Sequence, residues 1–351
     1  MAFNKAAGHG NLPNGNFSPV IYSQKVQKAF RKSSVVEDIT NTDYMGEIAN
    51  FGDSVKIIKE PEISVNTYAR GTQIQTQDLE DSEFSLNIDQ ANYFSFKMDD
   101  IETAHSHVNF MDLATDRAGY KLRDTYDSEV LSYMAGFVKG TDGTYSVNST
   151  VNGVAASSSA GTDELLAANK LDANDFAGSA NNGIAVSTTA TGDTIATPLD
   201  ILNRMARIMD VNNVDTADRW FVADPVFFEA LMGENSKFVS ADFNLSMSGD
   251  GILRNGRIGD GLIRGFKVYN SNNLPFLGTG PATTAASNST NLGIIIAGHS
   301  SAAATAQQID KTETYRDPDS FADIVRGMQL YGRKILRPES IVTARYHLQG
   351  S

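Results

Sequence analysis

Residues 83–98 read EFSLNIDQANYFSFKM, and how this stretch is read decides the fold. Phe84, Leu86, Ile88, Phe94, Phe96 and Met98 share one parity, while Ser85, Asn87, Asp89, Ser95 and Lys97 share the other. A period of two puts one set on each face of a β-strand. At about 3.3 Å per residue the stretch would reach about 50 Å, well beyond an ordinary strand of five or six residues. A single compact domain rarely has a wall that long. The apolar row is therefore expected to lie against another copy of the chain. Gln90 and Asn92 interrupt the row. They divide it into an outer half that reaches out and a root, Phe94 to Met98, beside the next element.

Upstream, FGDSVKIIKEPEISVNTYARG (51–71) is the expected partner strand, with Val55, Ile57, Ile63 and Val65 on one parity. Pro61 marks an edge or a bend, because proline cannot donate to a strand ladder. The whole of 51–98 reads as one extended two-stranded arm. Its expected inter-subunit contacts are Val55, Ile57, Ile63, Val65, Phe84, Leu86, Ile88, Phe94 and Phe96. Downstream, residues 98–137 carry apolar side chains at spacings of three and four, from Met111 through Leu122, Tyr126 and Val130 to Phe137. That stripe predicts a helix of about 40 Å whose core face holds Leu122, Tyr126, Val130 and Phe137. Gly136 and Gly140 are its candidate stops.

Residues 140–196 turn sharply towards Ser, Thr, Ala, Gly and Asn and read as an insertion or loop region. Order returns at TPLDILNRMARIMD (197–210), where Thr197 fits an N-cap and Pro198 the first helical position. RWFVAD (219–224) reads as a buried strand, and Asp224 and Pro225 open a short helix that ends at Gly233. Strand-like pieces follow at 262–274, 292–298 and 321–346. The element order predicts an α+β chain.

The 351 residues carry a net charge of −13 and no cysteine, which excludes disulfides and thiolate metal sites. The first 36 residues hold Lys5, Lys25, Lys28, Arg31 and Lys32 and no acid, so the remainder carries −18. A basic segment on an acidic body points to docking, through Lys25, Lys28, Arg31 and Lys32, on an acidic protein surface. Residues 22–34 fit a short amphipathic helix, with Val26 and Phe30 on one face. The acidic body should repel nucleic acid rather than hold it tightly. The first residues contain no apolar run of the signal-peptide kind, and the longest such run, GIIIAG (293–298), is too short to span a bilayer. A cytoplasmic origin with no membrane partner is expected.

No catalytic constellation stands out. His105 and His107 lie two apart with no carboxylate cluster to complete a metal site. His299 neighbours Ser300, but adjacent residues do not make a triad, and no nucleophile elbow exists. GDGILRNGRIGDGLIRG (249–265) lacks the ending of a phosphate loop and reads as turns joining strands. No enzyme activity and no cofactor are expected.

Five stretches together resemble the major capsid proteins of tailed bacteriophages with the HK97-like fold. They are the arm at 51–98, the helix at 103–137, DRWFVADPVFFEALM (218–232), IRGFKVYNSNNLP (263–275) and YRDPDSFADIVRGMQLYGRKILRPESIVTARY (315–346). The resemblance implies an N-terminal arm at 1–50, an extended hairpin (the E-loop) at 51–98 and a peripheral domain with its spine helix at 99–139. It further implies an axial domain at 197–312 and a C-terminal segment, 313–351, that returns to the peripheral domain. Residues 140–196 depart from the family's core pattern. The implied role is a virion shell of hexamers and pentamers around double-stranded DNA, assembled in the host cytoplasm. Its implied partners are a separate scaffolding protein and a portal protein. A nanocompartment shell of the same fold and a β-rich tail or attachment protein are the competing readings.

Overall fold

The computed structural model describes residues 34–44, 54–59, 63–71, 73, 76–77, 82–101, 110–139, 145–147, 150–151, 154–155, 165–178, 183–187, 194–233, 253–254, 257–258, 263–277 and 292–349. The first described elements are helix α1 (Val36–Ile39), strands β1 (Ser54–Lys59), β2 (Ser82–Asn87) and β3 (Gln90–Asp99), and helix α2 (Phe110–Met134). Strands β4 (Phe137–Lys139), β5 (Tyr145–Val147), β6 (Lys170–Leu171), β7 (Ile184–Val186) and β8 (Ile195–Ala196) follow. Next come α3 (Pro198–Val211), β9 (Arg219–Ala223), α4 (Pro225–Leu231), β10 (Phe266–Asn270) and β11 (Phe276–Leu277). The last four strands are β12 (Leu292–His299), β13 (Ala303–Arg316), β14 (Ala322–Ile335) and β15 (Ile341–Leu348).

An eight-stranded mixed sheet runs in the order β8-β7-β15-β12-β9-β10, with β11 also on β12 and β6 also on β15. Both of its faces are covered, which is why LGIIIAG and WFVA are unbroken apolar runs rather than alternating ones. On one face Phe221, Ile295, Val342 and Tyr346 pack under Leu202, Met205 and Met209 of α3 and Phe227 of α4. On the other, Trp220, Val222, Ile294 and Ile296 pack against Tyr126, Val130, Leu131 and Met134 of α2 and Val36 and Ile39 of α1. The caps of the short helices are as expected. Thr197 and Asp200 form a capping box ahead of Pro198, and the Asp224 carboxylate accepts from the Phe227 amide.

A second, three-stranded antiparallel sheet has the order β13-β14-β3. Helix α2 lies against it through Tyr126, whose ring meets Tyr331 edge-on at 4.8 Å. Glu129 accepts from the Asn92 amide (3.0 Å) and from the Tyr331 hydroxyl, and Arg333 donates to the Glu129 carbonyl (2.7 Å). These bonds tie the root of the opening stretch to the long helix.

Several expectations need correction. The stretch 83–98 is two strands, not one, with a break at Ile88–Asp89. Its outer half, β2, pairs with β1, while its root, β3, pairs with β14 over Asp99–Ala322 to Gln90–Tyr331. The arm 51–98 is therefore not a single hairpin. Ile63 and Val65 lie beyond the end of β1 in a segment without strand pairing. Helix α2 stops at Met134, turned by Gly136 at φ +81°, so Phe137 is buried from β4 and not from the helix face. Tyr126 and Val130 are buried, and Leu122 is half-buried. The later part of 140–196 is no loose insertion, because Leu171, Ile184, Val186 and Ala196 belong to the large sheet's core. Within the C-terminal segment 313–351, β15 runs along β12 in the large sheet, from Gly298–Ile341 to Gly293–Tyr346.

Candidate assembly surfaces

The β1–β2 hairpin has an inner and an outer face. Its register sets Val55 opposite Leu86 and Ile57 opposite Phe84. Leu86 is fully buried against Ala304 and Ala306, with Val55, Ile57, Ile88, Tyr44 and Leu336 packed around it. Leu86 is therefore spent inside its own subunit and has no surface left to offer a neighbour, contrary to expectation. Val55, Ile57 and Ile88 are half-buried in that same cluster. Phe84 is described only by its backbone, facing Ile57. The outer face carries the Lys56–Glu83 ion pair and exposed Ile58.

Beyond β1 the apolar side chains have no cover. Val65 is 96% exposed, and Ile63 and Tyr68 are exposed beside it. The Gln77 side-chain carbonyl accepts both the amide (3.0 Å) and the hydroxyl (2.8 Å) of Ser64, tying this limb to the returning one. An extended limb with bare apolar side chains is costly in water unless something covers it.

The three-stranded sheet presents a second surface. On the face turned towards α2, Phe94 and Phe96 stack at 6.2 Å and are half-buried. The opposite face carries Tyr93 (80% exposed) directly across from Met328, and Tyr315 across from half-buried Ile324. The Arg326 guanidinium lies 4.8 Å over the Tyr315 ring and pairs with Glu313 at 2.9 Å. Lys97 pairs with Asp317 at 2.6 Å, and Arg316 bridges Asp100 and Asp323. At the sheet's end, exposed Ile101 follows the Asp100 amide, which donates to the carbonyl of Phe321, itself 80% exposed.

Lys97, the Ser320 hydroxyl and the Asp319 amide hold the Asp317 carboxyl far below the ordinary carboxylate range. Lys311 and Arg326 likewise lower Glu313. Apolar side chains framed by fixed charges give the build of a recognition patch: an apolar centre and a polar rim. Sequence reading missed Tyr93, Met328 and Phe321. The available signal was a large aromatic, Tyr93, on the parity otherwise filled by Ser95 and Lys97.

The basic residues Lys25, Lys28, Arg31 and Lys32 lie outside the described residues, as do His105 and His107. His299 Nδ1 accepts the amide of Ser301 (3.1 Å) and lies 2.8 Å from its hydroxyl, which is a local turn. The buried Asp224 carboxyl, raised by desolvation, accepts from the Tyr346 hydroxyl and caps α4. Among the described residues no group of three or more His, Asp or Glu side chains could hold a metal ion. No described helix is long and apolar enough to cross a membrane.

No protein-family model and no curated protein matches the sequence. Solved structures do. A structure from Mycobacterium phage Che8 superposes with a TM-score of 0.66 at 26% identity, over 94% of this chain and 97% of that one. The capsid structure of the cyanophage P-SCSP1u gives 0.63 at 20% identity, over 95% and 94%. The capsid asymmetric unit of cyanophage Pam1 gives 0.68 at 15% identity, over the full length of both chains. The chain has the fold of phage capsid subunits.

Proposed function

We propose that this chain, which has the fold of phage capsid subunits, is the major capsid protein of a tailed bacteriophage. Copies of it assemble as hexamers and pentamers into an icosahedral shell around double-stranded DNA. The observation that carries this reading is the superposition on capsid structures over nearly the whole of both chains. The surfaces described above support it. A shell needs large contacts that close by symmetry, and obligate contacts bury upwards of roughly 2,000 Å² of mostly apolar surface. The limb holding Ile63, Val65 and Tyr68 supplies apolar surface with no use at home.

In this reading the segment from β1 to β2 serves as the extended loop and α2 as the spine helix. The large sheet with α3 and α4 forms the axial part, and the basic N-terminal segment is a docking arm. Lys25, Lys28, Arg31 and Lys32 dock that arm on acidic protein surface. DNA is held by non-specific contact. A separate scaffolding protein sets the curvature, a portal protein occupies one vertex, and assembly takes place in the host cytoplasm.

Electron microscopy of the purified chain tests this. Closed shells are the expected outcome, and a compact monomer under every assembly condition overturns the reading. A Val65→Asp/Tyr68→Ser double variant should melt within about 0.5 kcal/mol of the parent, as exposed substitutions do. It should nevertheless lose most of its particle yield. Full assembly by this variant would remove the limb from the contact.

A further inference from the structure

The end of α2 gathers cations that no carboxylate answers. Arg333 of β14 donates to the Glu129 carbonyl at 2.7 Å, and its guanidinium lies 5.0 Å over the Tyr133 ring. Lys139 of β4 donates to the Ser128 hydroxyl at 3.1 Å and lies 5.8 Å over the Tyr145 ring. The Arg345 guanidinium of β15 lies 5.8 Å over the ring of Phe137, two residues before Lys139. Lys139 is exposed and the two arginines are half-buried. Among the described residues no ion pair involves any of the three. The Glu129 carboxylate is turned to Asn92 and Tyr331. In the three-stranded sheet, by contrast, Lys97, Lys311, Arg316 and Arg326 all pair with carboxylates. Helix α2 has no basic residue of its own in its last turn, and a helix C-terminus carries only about half a negative charge. That is too little to account for three cations drawn from three strands.

Each head group is steadied by an aromatic face and by at most one neutral acceptor, so most of its N–H donors remain for a ligand. The rings themselves are covered: Phe137 is buried, and Tyr133 and Tyr145 are half-buried. A protein contact is built around a bare apolar centre, whereas this cluster presents mainly charge. Fixed cations of this kind suit a phosphate backbone. We propose that Lys139, Arg333 and Arg345 form a contact for the phosphates of double-stranded DNA. The inference rests on the shell reading given above, and it names the surface through which each subunit touches the enclosed DNA. Three such contacts on a chain of net charge −13 make a weak site. Many subunits acting on one DNA molecule raise its effect by avidity. Phosphate contacts carry no sequence information, so the site takes any duplex.

Fluorescence anisotropy of a labelled DNA duplex tests this, titrated with the unassembled full chain over about 20–100 mM salt, where phosphate contacts are strongest. Each phosphate contact contributes about 0.9 to the slope of log affinity against log salt. Lys139→Gln/Arg345→Gln should therefore lower that slope by about 2, for every duplex sequence alike. Lys139→Arg/Arg345→Lys should keep the parent slope. Lys97→Gln/Lys311→Gln removes the same charge where carboxylates already answer it, and should leave the slope unchanged. Thermal melts of each variant separate lost binding from lost folding. Should the Lys139→Gln/Arg345→Gln chain fail to fold, Lys139→Gln alone, an exposed change, should lower the slope by about 1. An unchanged slope, or equal losses in the two Gln variants, overturns the proposal. Shell yield measured in parallel separates the two claims. Normal shells with an unchanged slope remove this surface and leave the shell reading. An unchanged slope with lost shells assigns the cluster to a contact between copies and also overturns the proposal. A parent chain whose DNA slope responds as expected, but which never closes into shells, removes the shell reading alone.

Discussion

Asp127 sits mid-helix with no exposed surface, yet both its oxygens are occupied, three donors on one and one on the other. It caps α1 from a distance of about 90 residues in sequence, work a local Ser or Asp normally does. Truncation would strand the buried Val35 and Val36 amides away from water. Asp127→Ala should therefore cost about 3 kcal/mol, the range for orphaned buried groups that had a charged partner. The fall should appear in the urea midpoint with the slope unchanged. A variant as stable as the parent would show that the pin is dispensable. His347 makes a different residue-scale prediction. Burial pushes its imidazole below the usual 6.5, only partly offset by the Gly183 backbone. The unfolded chain thus binds that proton more readily. This contribution to stability is complete above about 6.5 and is lost as pH falls through the lower native value. His347→Gln should flatten that part of a pH–stability profile, and an unchanged acid limb would assign it to other groups.

Among the elements, β3 changed most between sequence and structure. Its apolar parity faces α2, and the Phe94 ring lies over Gly327 of β14, directly opposite in register. A Cβ at Gly327 would fall 2.4 Å from the ring, closer than any real contact. Gly327→Ala should therefore cost about 1–3 kcal/mol through overpacking. Adding Phe94→Leu should recover part of that, so the two changes will fail to add by at least about 0.5 kcal/mol. Strict additivity in unfolding experiments would mean the ring moves aside freely. The same geometry makes Phe94 and Phe96 half-buried contributors to the subunit's own fold. Polar replacements there would destabilise the subunit before they touched assembly. The clean assembly probes are Val65 and Tyr68.

Across the whole molecule, stability should be graded by how many faces of each sheet are covered. Strands β9, β12 and β15 are buried on both sides. The three-stranded sheet is covered on one side, and residues 63–71 are exposed throughout. Hydrogen exchange on the unassembled chain should follow that order, slowest in Leu292–His299 and near the intrinsic rate at 63–71. Uniform protection would contradict it. In closed shells the protection at 63–71 should rise, because Ile63, Val65 and Tyr68 are apolar side chains left without cover on the single subunit.

The sequence by itself determined the local features whose causes are local. Thr197–Pro198 and Asp224–Pro225 start their helices because cap and first-turn chemistry involve neighbours three residues away. The run at 220–223 announced a buried strand and 292–298 a second strand, and the three-and-four spacing through Tyr126 and Val130 announced a helix. The sequence also named 51–71 as a partner strand, and β2 does pair with residues 54–59. Only the tertiary structure decided the partner of β3, because alternation in 83–98 states which side is apolar while hydrogen-bond ladders are nearly blind to side-chain identity. That partner is 322–331, more than 200 positions away. The same non-locality hid the entry of Ile184–Val186 and Ile341–Leu348 into the large sheet. The stretch EFSLNIDQANYFSFKM fixed the two faces of its strand, and the packing of distant strands fixed what each half of it lies against.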